Sequence, residues 1–206
     1  MISSKLLLST GAVLAAATAG LATLYATQPG DAFAPCRADN MVDHAAIGGP
    51  FTLIDETGAG VTDADVFDQP TLFYLGYTFC PDVCPMDNLR NADAVDLLED
   101  RGLQSRAVFV SVDPKRDTPD VLAEFTDFFH PQMLGLTGTP AQVESLAEDY
   151  ASVFEIREAD DDEFYLIDHS TFTFLVLPGH GVVDVIRRDE PAEVVAERAA
   201  CLIAKA

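Results

Sequence analysis

Basic residues are scarce in this chain. Twelve Lys and Arg stand against 34 Asp and Glu, for a formal net charge of −22. Such a surface repels phosphate backbones and anionic lipid heads, which argues against a nucleic-acid partner. It would attract cations and basic proteins. Solubility or adaptation to salt is the simpler account of the charge and is preferred, so acidity alone names no ligand. Cysteine is sparse too, with four in 206 residues and one close pair, Cys80 and Cys84. A closed structural zinc site usually takes four protein ligands, and no second close pair is there to supply them. Internal repeats and low-complexity tracts are absent. What remains is 49% apolar, enough for one domain with its own core once a leader is set aside.

Acid is also missing from the first thirty residues, which hold a single base, Lys5. The apolar run that follows to residue 26 is long enough, as a helix, to cross a bilayer core of about 30 Å. One base before the run and an acidic domain after it predict a single-pass anchor with the domain outside. Ala17-Thr18-Ala19 offers a signal-peptide cleavage site, but the run continues past it, which favours an uncleaved anchor. Residues 27–46 are mixed, Gly/Pro-punctuated and aperiodic, and read as a tether to a domain spanning 47–206. In either case the domain faces an oxidising compartment.

Within the domain, "FTLIDETGAGV" predicts a small hairpin. "PTLFYLGY" (70–77) and "RAVFVSV" (106–112) predict strands buried on both faces. Between them a helix is expected from about Pro85 to Arg101, with Met86, Leu89, Ala92, Val95 and Leu98 facing inward. A second helix opens on Thr118 and Pro119 and buries Val121, Leu122, Phe125, Phe128 and Phe129. A third carries a capping box, Thr139 with Gln142, and the stripe Val143, Leu146, Ala147 and Tyr150. "LGLTG", "STFTFLVL" (170–177) and "VVDVIRR" predict further strands, "EADDDEF" an acidic turn, and the last sixteen residues a closing helix. Strands alternating with helices, then a hairpin and a final helix, predict an α/β fold: a mixed sheet with helices on both faces.

The chemistry concentrates in "YTFCPDVCP". Pro81 keeps Cys80 on an extended loop. Pro85 suits a first helical position, which places Cys84 at or near the N-cap, where the helix dipole favours a thiolate. Thiols at this spacing can share one ion or oxidise to a disulfide. A thiol pair between a buried strand and a helix suggests a thioredoxin-like arrangement. In such a sheet the loop holding Asp168, His169 and Ser170 faces the cysteines, so His169 can complete a Cys2His site. A lone histidine is more often structural, and His44, His130 and His180 have no comparable position. Two thiolates and an imidazole suit Cu(I), Cu(II) or Zn(II), with one coordination position left open. In "SVDPKRDTP", Asp113, Arg116 and Asp117 read as local ion pairs and caps. Cys36 and Cys201 either pair across the domain, worth about 4 kcal/mol in the chain-entropy model, or stand apart as an idle and a buried thiol.

"GYTFCPDVCP", "SVDPKRDTP" and "YLIDHSTFTFLV", in that order, resemble the Sco/SenC family of membrane-tethered copper proteins over about residues 47–204. The resemblance implies a thioredoxin-like fold binding one copper, as Cu(I) or Cu(II), through Cys80, Cys84 and His169. It implies assembly of the CuA centre in cytochrome c oxidase subunit II, with other copper chaperones as donors. It places the chain in a bacterial inner membrane with the domain in the periplasm. The alternative is a thiol–disulfide reductase, with Cys80 and Cys84 catalytic, that keeps the target's cysteines reduced. A peroxidase ranks last, because no activating Arg beside the thiol is evident. The resemblance gives Cys36 and Cys201 no role.

Overall fold

An extended segment that is apolar on both faces needs cover on both sides. Thr71–Gly76 (β3) has it, with every residue buried. The computed structural model describes residues 31–38, 42–157 and 164–206. The expected anchor, 1–26, lies outside the described residues, as do parts of the tether and most of the acidic turn. Among the described residues no helix is long and apolar enough to cross a membrane. The chain divides into Met1–Pro35 and Cys36–Ala206.

Its remaining strands are β1 Thr52–Asp55, β2 Gly60–Thr62, β4 Arg106–Ser111, β5 Leu134–Thr137, β6 Phe154–Ile156, β7 Ile167–His169, β8 Thr173–Leu177 and β9 Gly181–Ile186. Seven of them form one sheet in the order β2-β1-β5-β4-β3-β8-β9, while β6 and β7 make a separate two-stranded ribbon. β3, β4 and β5 run parallel; β8, β9, β1 and β2 join antiparallel. The helices are α1 Asp63–Val66, α2 Val83–Glu99, α3 Pro119–Phe129, α4 Pro140–Asp149 and α5 Ala192–Ile203.

Parallel neighbours need crossover helices, and the right-handed rule puts α2 and α3 on one face. Tyr74 and Phe109 are register partners on that face. Phe109 meets Phe125 of α3 at 4.7 Å, and Gly76 lies beneath Cys84 of α2. α5 packs against α2. One residue along β3, Phe73 faces the other way and meets Tyr150, at the end of α4, at 4.8 Å. The sheet is thus mixed and flanked by helices, as expected.

Three local expectations need correction. α2 starts two residues earlier than Pro85, and Met86 and Leu89 are exposed rather than inward. Its first turns instead bury Asp87, Asn88, Arg90 and Asn91. Burial of these groups is tolerable because each is hydrogen-bonded. Tyr74 donates to Asp87 at 3.0 Å, Asn88 to the Cys84 carbonyl at 2.8 Å, and Arg90 and Asn91 to Thr173 Oγ1 at 2.7 and 3.1 Å. In α3, Val121 and Phe128 are exposed while Thr126 is buried. The Thr126 hydroxyl donates to Glu56 at 2.8 Å. The strand expected from 170 begins at Thr173, because His169 belongs to the ribbon, opposite Phe154. α4 forms as expected, with its capping box and its buried stripe.

Candidate metal centre

The strand–loop–helix junction after β3 sets the two sulfurs. Asp82 stands at the N-cap of α2, so Cys84 is the second helical residue and Pro85 the third. Pro85 is tolerated there because the first-turn N–H groups have no intrahelical partner. Cys84 thus stands near the helix start, as expected, but the terminus serves the neighbouring sulfur. The Cys84 N–H donates to Cys80 Sγ at 3.4 Å, so the positive end of α2 faces Cys80. The thiols are inequivalent. A hydrogen bond from the Cys84 side chain, helped by the backbone of Cys84 and Asp82, holds Cys80 far below the usual thiol range against the effect of burial. Burial pushes Cys84 up. Cys80 is thus the more acidic thiol of the pair and Cys84, fully buried, the less acidic one.

His169 arrives from β7. Its Nε2 lies 3.3 Å from Cys84 Sγ and its Nδ1 lies 2.8 Å from the Ser170 carbonyl oxygen. A carbonyl only accepts, so Nδ1 carries the proton and Nε2 turns a lone pair toward the sulfurs. The rings of Tyr77 and Tyr74 meet the imidazole edge-to-face at 5.7 and 6.2 Å. The two Sγ atoms and the imidazole nitrogen all lie within 4.8 Å of one another. This donor set can hold a soft or borderline ion. The other histidines stand elsewhere: His130 meets Asp96 at 3.2 Å, and buried His44 lies 3.9 Å from Asp184. Cys36 and Cys201 are joined by a disulfide spanning 165 residues and take no part in the cluster.

Several residues that shape the site were read from sequence as ordinary turn residues. Asp117 is buried and accepts from Thr78 N at 3.0 Å, Thr78 Oγ1 at 2.6 Å and Ser111 Oγ at 2.5 Å. It ties the cysteine loop to the end of β4, and burial raises its carboxyl pKa. Asp113 pairs with Arg116 and accepts from the Tyr165 hydroxyl at 2.7 Å. The only sequence signal for these long-range partners was the density of charge in "SVDPKRDTP".

Gly76 has a specific reason to be glycine. A Cβ there would lie 2.8 Å from Cys84 Sγ, 2.9 Å from Tyr74 and 3.0 Å from Phe109. Gly76→Ala is expected to cost about 1–3 kcal/mol, as overpacking does, and to displace the Cys84 sulfur. Denaturant unfolding of the reduced, metal-free protein checks the first effect and metal affinity the second.

A protein-family model described as SCO1/SenC matches residues 39–204. The chain is 48% identical over 204 residues to Protein SenC of Rhodobacter capsulatus, covering 98% of this chain and 92% of that one. Arabidopsis thaliana ScoI, solved with copper bound, superposes with a TM-score of 0.74 at 35% identity, covering 78% of this chain and 100% of that one. Bradyrhizobium japonicum ScoI, also solved with copper bound, gives 0.69 at 32% identity, with coverage of 78% and 100%.

Proposed function

The chain belongs to the SCO1/SenC family, and from that premise we propose that it is a copper metallochaperone for assembly of the CuA centre of cytochrome c oxidase. One observation carries the reading: two thiol sulfurs and a lone-pair imidazole nitrogen converge within 4.8 Å. The residues that hold the copper are Cys80, Cys84 and His169. Cu(I) is satisfied by the two thiolates, and His169 adds the ligand that Cu(II) favours. Three protein ligands leave a position open to an incoming thiolate. A recipient cysteine enters there, displaces one chain ligand and takes the ion by stepwise exchange. The chain is tethered by residues 1–26, with residues 27–46 leading to a copper-binding domain on the periplasmic side of a bacterial inner membrane. Other copper chaperones supply the metal.

A second reading is favoured by the inequivalence of the thiols. Cys80, the more acidic thiol, can attack a disulfide in subunit II as its thiolate. Cys84 then resolves the mixed disulfide, so the chain ends oxidised and the target gains two electrons, with one proton from Cys84 and one from solvent. The discriminating experiment mixes the chain anaerobically with the CuA-site domain of subunit II. Delivery predicts that copper moves from the loaded chain to the reduced recipient, and that transfer suffers in His169→Ala. Reduction predicts instead that the copper-free chain opens an oxidised recipient at a rate insensitive to His169→Ala. Copper that stays on the loaded chain would sink the delivery reading.

A further inference from the structure

The histidine of the cluster does not stand on the seven-stranded sheet. It ends β7, in a ribbon of only two strands. Such a ribbon is marginal alone, so its placement depends on what ties it down. It overhangs a cavity of about 270 Å³ lined by Val112, Pro114 and Val143 from the body and by Phe154 and Ile156 from β6. Open space supplies no packing contacts on that side.

Fixation of the ribbon therefore falls on ties made just before His169. The Tyr165 hydroxyl donates to Asp113 at 2.7 Å. Arg116 Nη1 donates to the Tyr165 carbonyl at 2.9 Å, and its guanidinium lies 3.6 Å from the centre of the Tyr165 ring. The Ile167 N–H donates to the Tyr77 hydroxyl at 3.2 Å. The same guanidinium sits 4.9 Å over Phe79, the neighbour of Cys80. Arg116 thus touches both the segment that delivers the imidazole and the loop that delivers the thiolate. A planar guanidinium suits this double duty, since it can stack and hydrogen-bond at once.

We propose that Arg116, together with the Tyr77 hydroxyl, is a positioning latch. It holds the ribbon so that His169 meets the thiol pair, and thereby sets how strongly the site prefers Cu(II) to Cu(I). The proposal rests on the copper reading above. Cu(I) needs only the two thiolates, whose placement depends on β3 and α2. Cu(II) needs the imidazole, whose placement depends on the latch.

The test compares Cu(II) and Cu(I) affinities of the full chain by competition titration, with the sulfur-to-Cu(II) charge-transfer absorption as a second readout. Arg116→Ala is expected to lower the Cu(II):Cu(I) affinity ratio about 10- to 100-fold, the usual scale for losing a group that orients a metal ligand. It should also shift the charge-transfer band. Tyr77→Phe, which deletes only the hydroxyl, is expected to move both in the same direction. If Arg116→Ala does not fold, Tyr77→Phe decides. In an Arg116→Ala/His169→Ala double variant the ratio should fall no further than in His169→Ala alone, because both changes remove one interaction. A ratio within about twofold of the parent in the latch variants, well short of that scale, would overturn the latch, as would additive losses in the double variant. If His169→Ala itself left the ratio unmoved, the ligand set would be wrong and the latch would fall with it. That result is distinct from failure of the latch alone.

Discussion

His169→Ala is expected to lower Cu(II) affinity by at least about 100-fold. Loss of a group that merely orients a ligand costs about 10- to 100-fold, so loss of the ligand itself should reach or exceed the upper figure. The geometry gives the reason. Nε2 faces Cys84 Sγ at 3.3 Å, while Nδ1 is committed to the Ser170 carbonyl. Among the described residues, no other histidine, cysteine or carboxylate joins the cluster. Water is the replacement ligand, and it is a poorer donor for Cu(II) than imidazole. Cu(I) binding should fall much less, since two thiolates satisfy it. Competition against a chelator of known affinity checks both, with the charge-transfer band weakened or shifted in the variant. Equal losses for the two oxidation states would mean that His169 supports the loop rather than the ion.

Cys201→Ser is expected to lower stability by about 2–5 kcal/mol, and the melting temperature by about 5–15 °C for a domain of this size. The Cys36–Cys201 bond closes a loop of 165 residues. Cross-linking so long a loop restricts the unfolded chain strongly, worth about 5 kcal/mol in the chain-entropy model. The bond also pins the segment that leads from Cys36 to the body, which other contacts hold as well. Arg37 Nε donates to the Val183 carbonyl at 2.5 Å, and Gly48 N to the Asp149 carbonyl at 2.7 Å. Buried His44 lies near Asp184, which in turn pairs with Arg198 at 2.6 Å. Stoichiometric copper binding should survive the substitution, because neither cysteine belongs to the cluster. Thermal unfolding with and without reductant checks the effect. An unchanged melting temperature would mean that the folded body holds this segment without the bond. Cys201 is exposed, so a thiol reductant that keeps Cys80 and Cys84 reduced also reaches this disulfide.

The thiol pair was legible because its spacing, a proline after each cysteine and a strand-to-helix position all agreed. His169 was less so. From pattern alone a lone histidine reads as structural, and the family resemblance singled it out. The ribbon that carries it was missed, because strands of three residues are too short to show a period. The buried polar face of α2 was missed for a different reason. Amphipathic reading assumes that apolar residues point inward, yet Asp87, Asn88, Arg90 and Asn91 are buried by partners on β3 and β8 or within α2 itself. Asp117 was hidden by its setting. Followed by Thr118 and Pro119 it looks like part of a cap, while its hydrogen bonds go to Thr78 and Ser111. For most of these residues the missing information was a long-range partner. The short-range devices, such as the Thr139–Gln142 capping box, were read correctly.

The most direct test of the central claim is an anaerobic copper titration of the reduced chain, with bound metal per chain as the readout. The parent should bind one copper tightly and show sulfur-to-Cu(II) charge transfer once oxidised to Cu(II), and Cys80→Ser/Cys84→Ser should do neither. No stoichiometric copper on the parent, or equal binding by the double variant, would contradict the copper centre. Cys80 and Cys84 would then be a redox pair, and their reduction potential would describe their function.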